Sequence, residues 1–293
     1  MVELYIPSGG IFIEYNWGMK YETVRNVTIP KIGFGTAQLG GSPYVPNRAK
    51  TDFYLSALRS AFELGYTHID TSDDYVRGLA EELIGRSIRE NNVQREKLFI
   101  TSKFLPSPWG YSKVMRSIEG SLRRLGTDYL DLYLLHFPNP FASMKETFRV
   151  LNQLVRDGRV RQLGVSNFNV KQLRNAQSLS KTPILTNQVP YNIFFRSFAK
   201  NGVLEYCQKN DILLTAYFPV KFRSKSIASN EVIRSIAQAH KATPFQIALA
   251  WLAAQPRVIT IPLSFNPQHQ KENLEAADIE LTQDEMEKLN KLT

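Results

Sequence analysis

LFITSKFLPSPWGYSKVMRSIEGSLRRLGTDYLDLYLLH, residues 98–136, sets a short apolar run ending at Lys103 and another ending at His136 on either side of a stretch with helical spacing. Within that stretch Val114, Ile118, Leu122 and Leu125 share one helix face, and Gly126 stands where a helix C-terminal glycine belongs. Two strands joined by one helix call for a parallel pair with a right-handed crossover. Working outward, the alternation recurs: further apolar runs end near Phe34, Asp70, Ser166, Val189, Tyr217 and Pro262, eight in all. Leu55, Leu58, Ala61, Phe62 and Leu64, followed by Gly65, predict another helix, and Thr243-Pro244 reads as an N-cap followed by proline at the first helical position.

Eight strand–helix repeats are the number that closes a (β/α)₈ TIM barrel, so the expected fold is α/β, one barrel in a single domain spanning 1–293. Residues 1–28 are expected to be an N-terminal extension or hairpin over the barrel bottom, suggested by alternating Leu4, Ile6, Ile11 and Ile13, and the barrel proper runs over 29–293. Met19 offers a second possible start. An open doubly wound sheet is the competing reading, but GFGTAQLGG at 33–41 does not follow GxGxxG order and no P-loop motif occurs.

Composition narrows the function classes. The chain has 293 residues, 43% of them hydrophobic and 22% charged, an ordinary globular balance. One cysteine, Cys207, excludes an internal disulfide and suits a reducing, cytoplasmic setting. The opening MVELYIPSGGIFIEY has no basic leader region and is broken by Pro7, Gly9 and Gly10, and no apolar run approaches the length of a membrane span, so neither a secretory signal nor a membrane partner is expected. The net charge of +9 suits an anionic partner, yet Lys and Arg are dispersed without a recognition motif, which argues against nucleic acid. His68, His136, His240 and His269 show no metal-ligand spacing, so no metal is expected.

In a barrel the reactive groups gather at the C-terminal strand ends. Here those ends are polar: Asp70, with Tyr75 just beyond, then Lys103, then His136. A phenol with a pKa of about 10 is a poor acid near neutrality unless a close ammonium stabilises its phenolate. Lys103 can supply that charge, Asp70 can hold the lysine, and a neutral His136 can donate a hydrogen bond that polarises a carbonyl.

With these residues in place, the chain resembles the aldo-keto reductases from about Ile29 onward. IPKIGFGT, GYTHIDTSDDY, EELIGRSI, LFITSK, LDLYLLHFP, GRVRQLGVSNFN, NQVPYN, TAYFPV and NPQHQKENLEA occur in family order. The resemblance implies NAD(P)H-dependent reduction of a small aldehyde or ketone, reversibly, with Tyr75 as general acid and Asp70, Lys103 and His136 completing the tetrad. It further implies nicotinamide contacts from Ser166, Asn167 and Gln188, with Tyr217 stacking on the ring. Phe218 takes the place of a serine usual in the family. At the adenosine end Ser264, Asn266, His269 and Asn273 match cofactor-binding positions, with Gln270 and Lys271 nearby. The family's two cations for the 2′-phosphate of NADPH are replaced by Leu263 and His269, which leaves three readings open: a preference for NADH, use of both NADPH and NADH, which is the expectation, or charge supplied instead by Lys221, Arg223 and Lys225.

Trp109, Phe137 and His136 are expected to border the substrate, with Tyr44 and Phe194 weaker candidates. Ala37 stands where relatives often carry tryptophan, which implies a wider pocket, and the short C-terminal segment implies a more open one. A monomer or small homo-oligomer is expected. The competing function, also implied by the resemblance, is a non-catalytic nucleotide-sensing auxiliary subunit.

Overall fold

A computed structural model describes residues 19–42, 45–108, 110–220 and 224–292. Eight parallel strands form one sheet: β1 (Phe34–Gly35), β2 (His68–Asp70), β3 (Phe99–Phe104), β4 (Leu130–Leu135), β5 (Val160–Ser166), β6 (Ile184–Pro190), β7 (Leu213–Tyr217) and β8 (Val258–Thr260). They lie side by side in sequence order, the arrangement that right-handed crossovers produce. The sheet closes on itself. Ile32 bridges Thr260, the Gly33 amide donates to the Thr260 carbonyl at 2.8 Å, and the Gly35 amide donates to the Pro262 carbonyl at 3.1 Å. Closure needs glycine at 35, where a Cβ would stand 2.5 Å from the Ile261 carbonyl oxygen.

Helices cover the outside of the barrel, and their apolar faces follow the sequence periodicity. α1 (Thr51–Glu63) buries Leu55, Leu58, Ala61 and Phe62, and Gly65 beyond it takes φ +90°. α2 (Leu79–Glu90) packs on α3 (Gly110–Leu125), which buries Val114, Ile118, Leu122 and Leu125. Further round lie α4 (Met144–Arg156), α5 (Val170–Leu179), α6 (Val203–Lys209), α7 (Pro244–Ala253) and α8 (Pro267–Glu275). Thr243 caps α7 through a reciprocal pair with Gln246, with Pro244 at the first helical position.

A hairpin of Tyr21–Val24 and Val27–Pro30 precedes the barrel. Its Val24 and Ile29 bury themselves against Leu132, Leu134, Leu185, Leu213 and Ile259, sealing the N-terminal end. The alternation at Leu4, Ile6, Ile11 and Ile13 lies outside the described residues, as does Met1. No helix among the described residues is long and apolar enough to cross a membrane.

Candidate active site

The C-terminal strand ends open onto a cavity of about 670 Å³. Asp70 closes β2 and Lys103 lies one residue from the end of β3, both buried, while His136 follows β4 directly. Tyr75 comes from the loop after β2, where the backbone turns hard: Val76, Arg77 and Gly78 take φ of +50°, +57° and +86°. Left-handed backbone at a buried, β-branched valine is costly and persists only where the surroundings enforce it. The turn leaves the Tyr75 ring under the Lys103 ammonium, 4.7 Å from the ring centre.

Lys103 spends its three N–H groups on Asp70 Oδ1 at 2.5 Å, the Thr71 carbonyl at 2.7 Å and Tyr75 Oη at 3.2 Å. Because Tyr75 Oη is the acceptor in that last bond, its own proton is left for the cavity. Burial pushes the Tyr75 phenol above its ordinary pKa, and the opposing pull of Lys103 does not outweigh it. The expectation that lysine would leave the phenol more acidic than usual is therefore not met: Tyr75 is protonated at neutral pH, the state a proton donor needs. Burial also works against the Lys103 charge, but Asp70 and Tyr75 more than offset it, holding its pKa above that of an ordinary ammonium.

The four polar residues assigned to the nicotinamide end form one connected patch next to this group. Gln188 Nε2 donates to Asp70 Oδ2 at 2.8 Å, Ser166 Oγ to the Gln188 carbonyl at 2.8 Å, and Asn167 Nδ2 to Ser166 Oγ at 2.9 Å. Tyr217 Oη donates to Asn167 Oδ1 at 2.9 Å, and burial lifts the Tyr217 pKa to about 12, so it stays neutral. Phe218 follows at φ +54°, its ring 4.9 Å from that of Tyr217.

The same cavity is also lined by Leu263, Ser264 and Phe265. Asn266 caps α8, its Oδ1 accepting from the Gln268 amide at 2.9 Å, and its own amide donates to Ser264 Oγ at 3.1 Å. His269 is exposed on α8, whereas Gln270 is buried and binds the Ala57 and Ser264 carbonyls. Asn273 lies against the Tyr66 hydroxyl. Phe137 stacks at 4.8 Å on His136 and is 44% exposed at the cavity edge, where it can meet a ligand. Phe194 packs into a core cluster instead. Trp109, Tyr44, Lys221 and Arg223 lie outside the described residues, and Lys225 is exposed on a short helix, Ser224–Ser229.

Two members of the site went unread in the sequence. Ser72 Oγ and Asp74 Oδ1 hydrogen-bond each other, and both stand 3.3 Å from His136 Nδ1. Their signal was present in TSDDY at 71–75, where a second acid precedes the tyrosine, but period and spacing say nothing about which way a loop side chain turns.

Comparison with known proteins gives a consistent answer. Residues 31–293 match the model of the Aldo/keto reductase family. The chain is 34% identical to methylglyoxal reductase YeaE of Escherichia coli, covering 91% of this chain and 92% of that one. It is 36% identical to a glyoxal reductase of Bacillus subtilis, covering 80% and 82%. Among solved structures it is similar to a thermostable aldo-keto reductase, Tm1743, crystallised with the inhibitor epalrestat (TM-score 0.88, 41% identity, 94% and 100% covered). It is also similar to an aldo-keto reductase of Klebsiella pneumoniae in complex with NADPH (TM-score 0.81, 33% identity, 92% and 94% covered).

Proposed function

The chain belongs to the aldo/keto reductase family, and we propose that it reduces a small aldehyde or ketone to the alcohol with a nicotinamide nucleotide, Tyr75 delivering the proton. The observation that carries the residue assignment is the buried Lys103 binding Asp70 and Tyr75 at once, both of which line one cavity. When bound, the nucleotide supplies the hydride. Tyr75 Oη gives its proton to the carbonyl oxygen as that oxygen gains charge, and the Lys103 ammonium stabilises the phenolate left behind. Asp70 holds the ammonium in place, and Gln188 in turn orients Asp70. His136 borders the same space and faces the substrate oxygen.

The residues present fit a dinucleotide. A carboxamide offers one acceptor and two donors, and the Ser166, Asn167 and Gln188 side chains offer matching partners beside the Tyr217 ring. At the far end, the α8 N-terminus with Ser264 and Asn266 has the backbone polarity that attracts a phosphate. Leu263 and His269 supply no fixed positive charge there, which supports use of both NADPH and NADH.

Small dicarbonyls are the first substrates to try, since the relatives include a methylglyoxal and a glyoxal reductase. The test is initial-rate measurement over glyoxal, methylglyoxal and aromatic aldehydes with each nucleotide, alongside fluorescence titration of binding. Turnover that falls by at least ~10²-fold in Tyr75→Phe, with nucleotide binding retained, is the expected result. Nucleotide binding without turnover of any carbonyl would instead favour the auxiliary-subunit reading, and unchanged turnover in Tyr75→Phe would remove Tyr75 as the acid.

A further inference from the structure

His136 Nδ1 faces two oxygens, Ser72 Oγ and Asp74 Oδ1, each at 3.3 Å. Ser72 has one hydroxyl proton, and the short contact to Asp74 Oδ1 claims it; the alternative acceptor within reach is the Lys103 carbonyl at 3.3 Å. Asp74 is ionised: burial alone would raise its pKa, but hydrogen bonds from His136 and Ser72 and the nearby Lys103 charge bring it below the usual carboxylate range. An ionised carboxylate has no proton to give. If Nδ1 carried its lone pair here, it would face the lone pairs of Asp74 at contact distance, so Nδ1 must be the donor.

We propose that Asp74 is a positioning residue for His136: together with Ser72 it fixes a proton on Nδ1, so that Nε2, the ring nitrogen left to the cavity, donates to a substrate oxygen only when the ring is charged. This rests on the proposed reduction and revises one part of it, the neutral histidine expected from sequence. A neutral ring with Nδ1 protonated presents a lone pair at Nε2, which would repel a carbonyl oxygen. A charged ring presents N–H at both nitrogens, one held by Asp74 and one free for the oxygen as negative charge develops on it. The groups around the ring are consistent with this. Asp74 and Tyr75 face it from the loop after β2, Phe137 stacks beside it, Asn167 holds its backbone carbonyl, and Lys103, on β3, is already paired with Asp70.

The chain has four histidines, so ring ¹⁵N–¹H correlation spectra of ¹⁵N-histidine protein can be assigned by single substitutions. In the ligand-free wild type His136 should show a proton on Nδ1, either alone or with Nε2 protonated as well. Asp74→Asn, whose amide can donate to Nδ1, should move the ring proton to Nε2. A neutral Nε2–H is a weaker donor to a developing oxyanion than the charged ring, so kcat should fall about tenfold with the nucleotide Kd unchanged, and Asp74→Glu should recover part of it. If Asp74→Asn fails to fold, Asp74→Ser provides the same comparison, and the wild-type ring signal is decisive by itself. A wild-type ring protonated on Nε2 alone, or an Asp74 variant with unaltered ring signals or unaltered kcat, would overturn the proposal. Absence of carbonyl turnover in the wild type would overturn the proposed function instead, and the ring signals would still decide where the proton lies.

Discussion

Replacing Lys103 by methionine keeps an unbranched side chain one atom shorter and removes its charge, and the consequences for folding and for chemistry can be separated. The ammonium is fully buried and satisfies Asp70 Oδ1 at 2.5 Å, the Thr71 carbonyl and Tyr75 Oη. Without it the Asp70 carboxylate, 2% exposed, has the Gln188 amide as its hydrogen-bonding partner and no counter-charge. Stranding one member of a buried ion pair costs about 3–5 kcal/mol, a large share of a typical domain stability of about 5–15 kcal/mol. Burial already holds the Tyr75 phenol high, and losing the ammonium leaves nothing to pull it down, so kcat should fall by at least ~10²-fold. Adding Asp70→Asn removes the stranded charge. The double variant should regain about 2 kcal/mol in urea denaturation relative to Lys103→Met while staying inactive. A double variant no more stable than Lys103→Met would refute the buried-pair account, and one with restored turnover would refute the role given to the lysine in proton delivery.

Two other perturbations test separate parts of the molecule. His68 is fully buried, with Nε2 3.2 Å from Thr101 Oγ1 and Nδ1 unpartnered, and burial pushes its pKa down to about 4. The unfolded chain takes up this proton near pH 6.5 and the folded chain only near 4, so the contribution is whole above pH 6.5 and drains away as pH falls toward 4, by about 3 kcal/mol. Denaturation between pH 7 and pH 4 should therefore show a shallower loss of stability in His68→Leu than in the wild type, and parallel curves would rule out this source. At the adenosine end, Leu263→Lys with His269→Arg should tighten NADPH about tenfold relative to NADH, as expected for one or two charge-assisted hydrogen bonds to the extra phosphate. Fluorescence titration with both nucleotides measures it, and equal changes for the two would mean that the phosphate does not lie there.

The barrel was legible in the chain because each of its repeats carries its own local signal. Strand ends read at Asp70, Lys103 and Ser166 fall within or at the end of the observed strands, and Gly65, Gly126 and Thr243 stand at helix ends as helix geometry requires. The hairpin at the barrel bottom was harder to place, since residues 21–30 bury only Val24, Ile29 and Pro30 and carry little periodic signal. Candidate residues at strand ends were legible for a related reason: a barrel brings its strand termini to one face whatever the loops do. What lay beyond the sequence is the balance of competing local fields. Whether Lys103 or burial wins at Tyr75 depends on how completely the site excludes water, and burial wins. Which ring nitrogen of His136 faces a carboxylate depends on which way Asp74 turns in the loop after β2, just before a turn with three consecutive left-handed residues. Sequence by itself determined the order of strands and helices and the candidate groups at the strand ends, Asp70, Lys103 and His136, because those follow from short-range periodicity and chain connectivity. Only the tertiary structure decided the protonation and partners of those groups, because these depend on distances of a few ångströms between residues as far apart in the chain as Asp70 and Gln188.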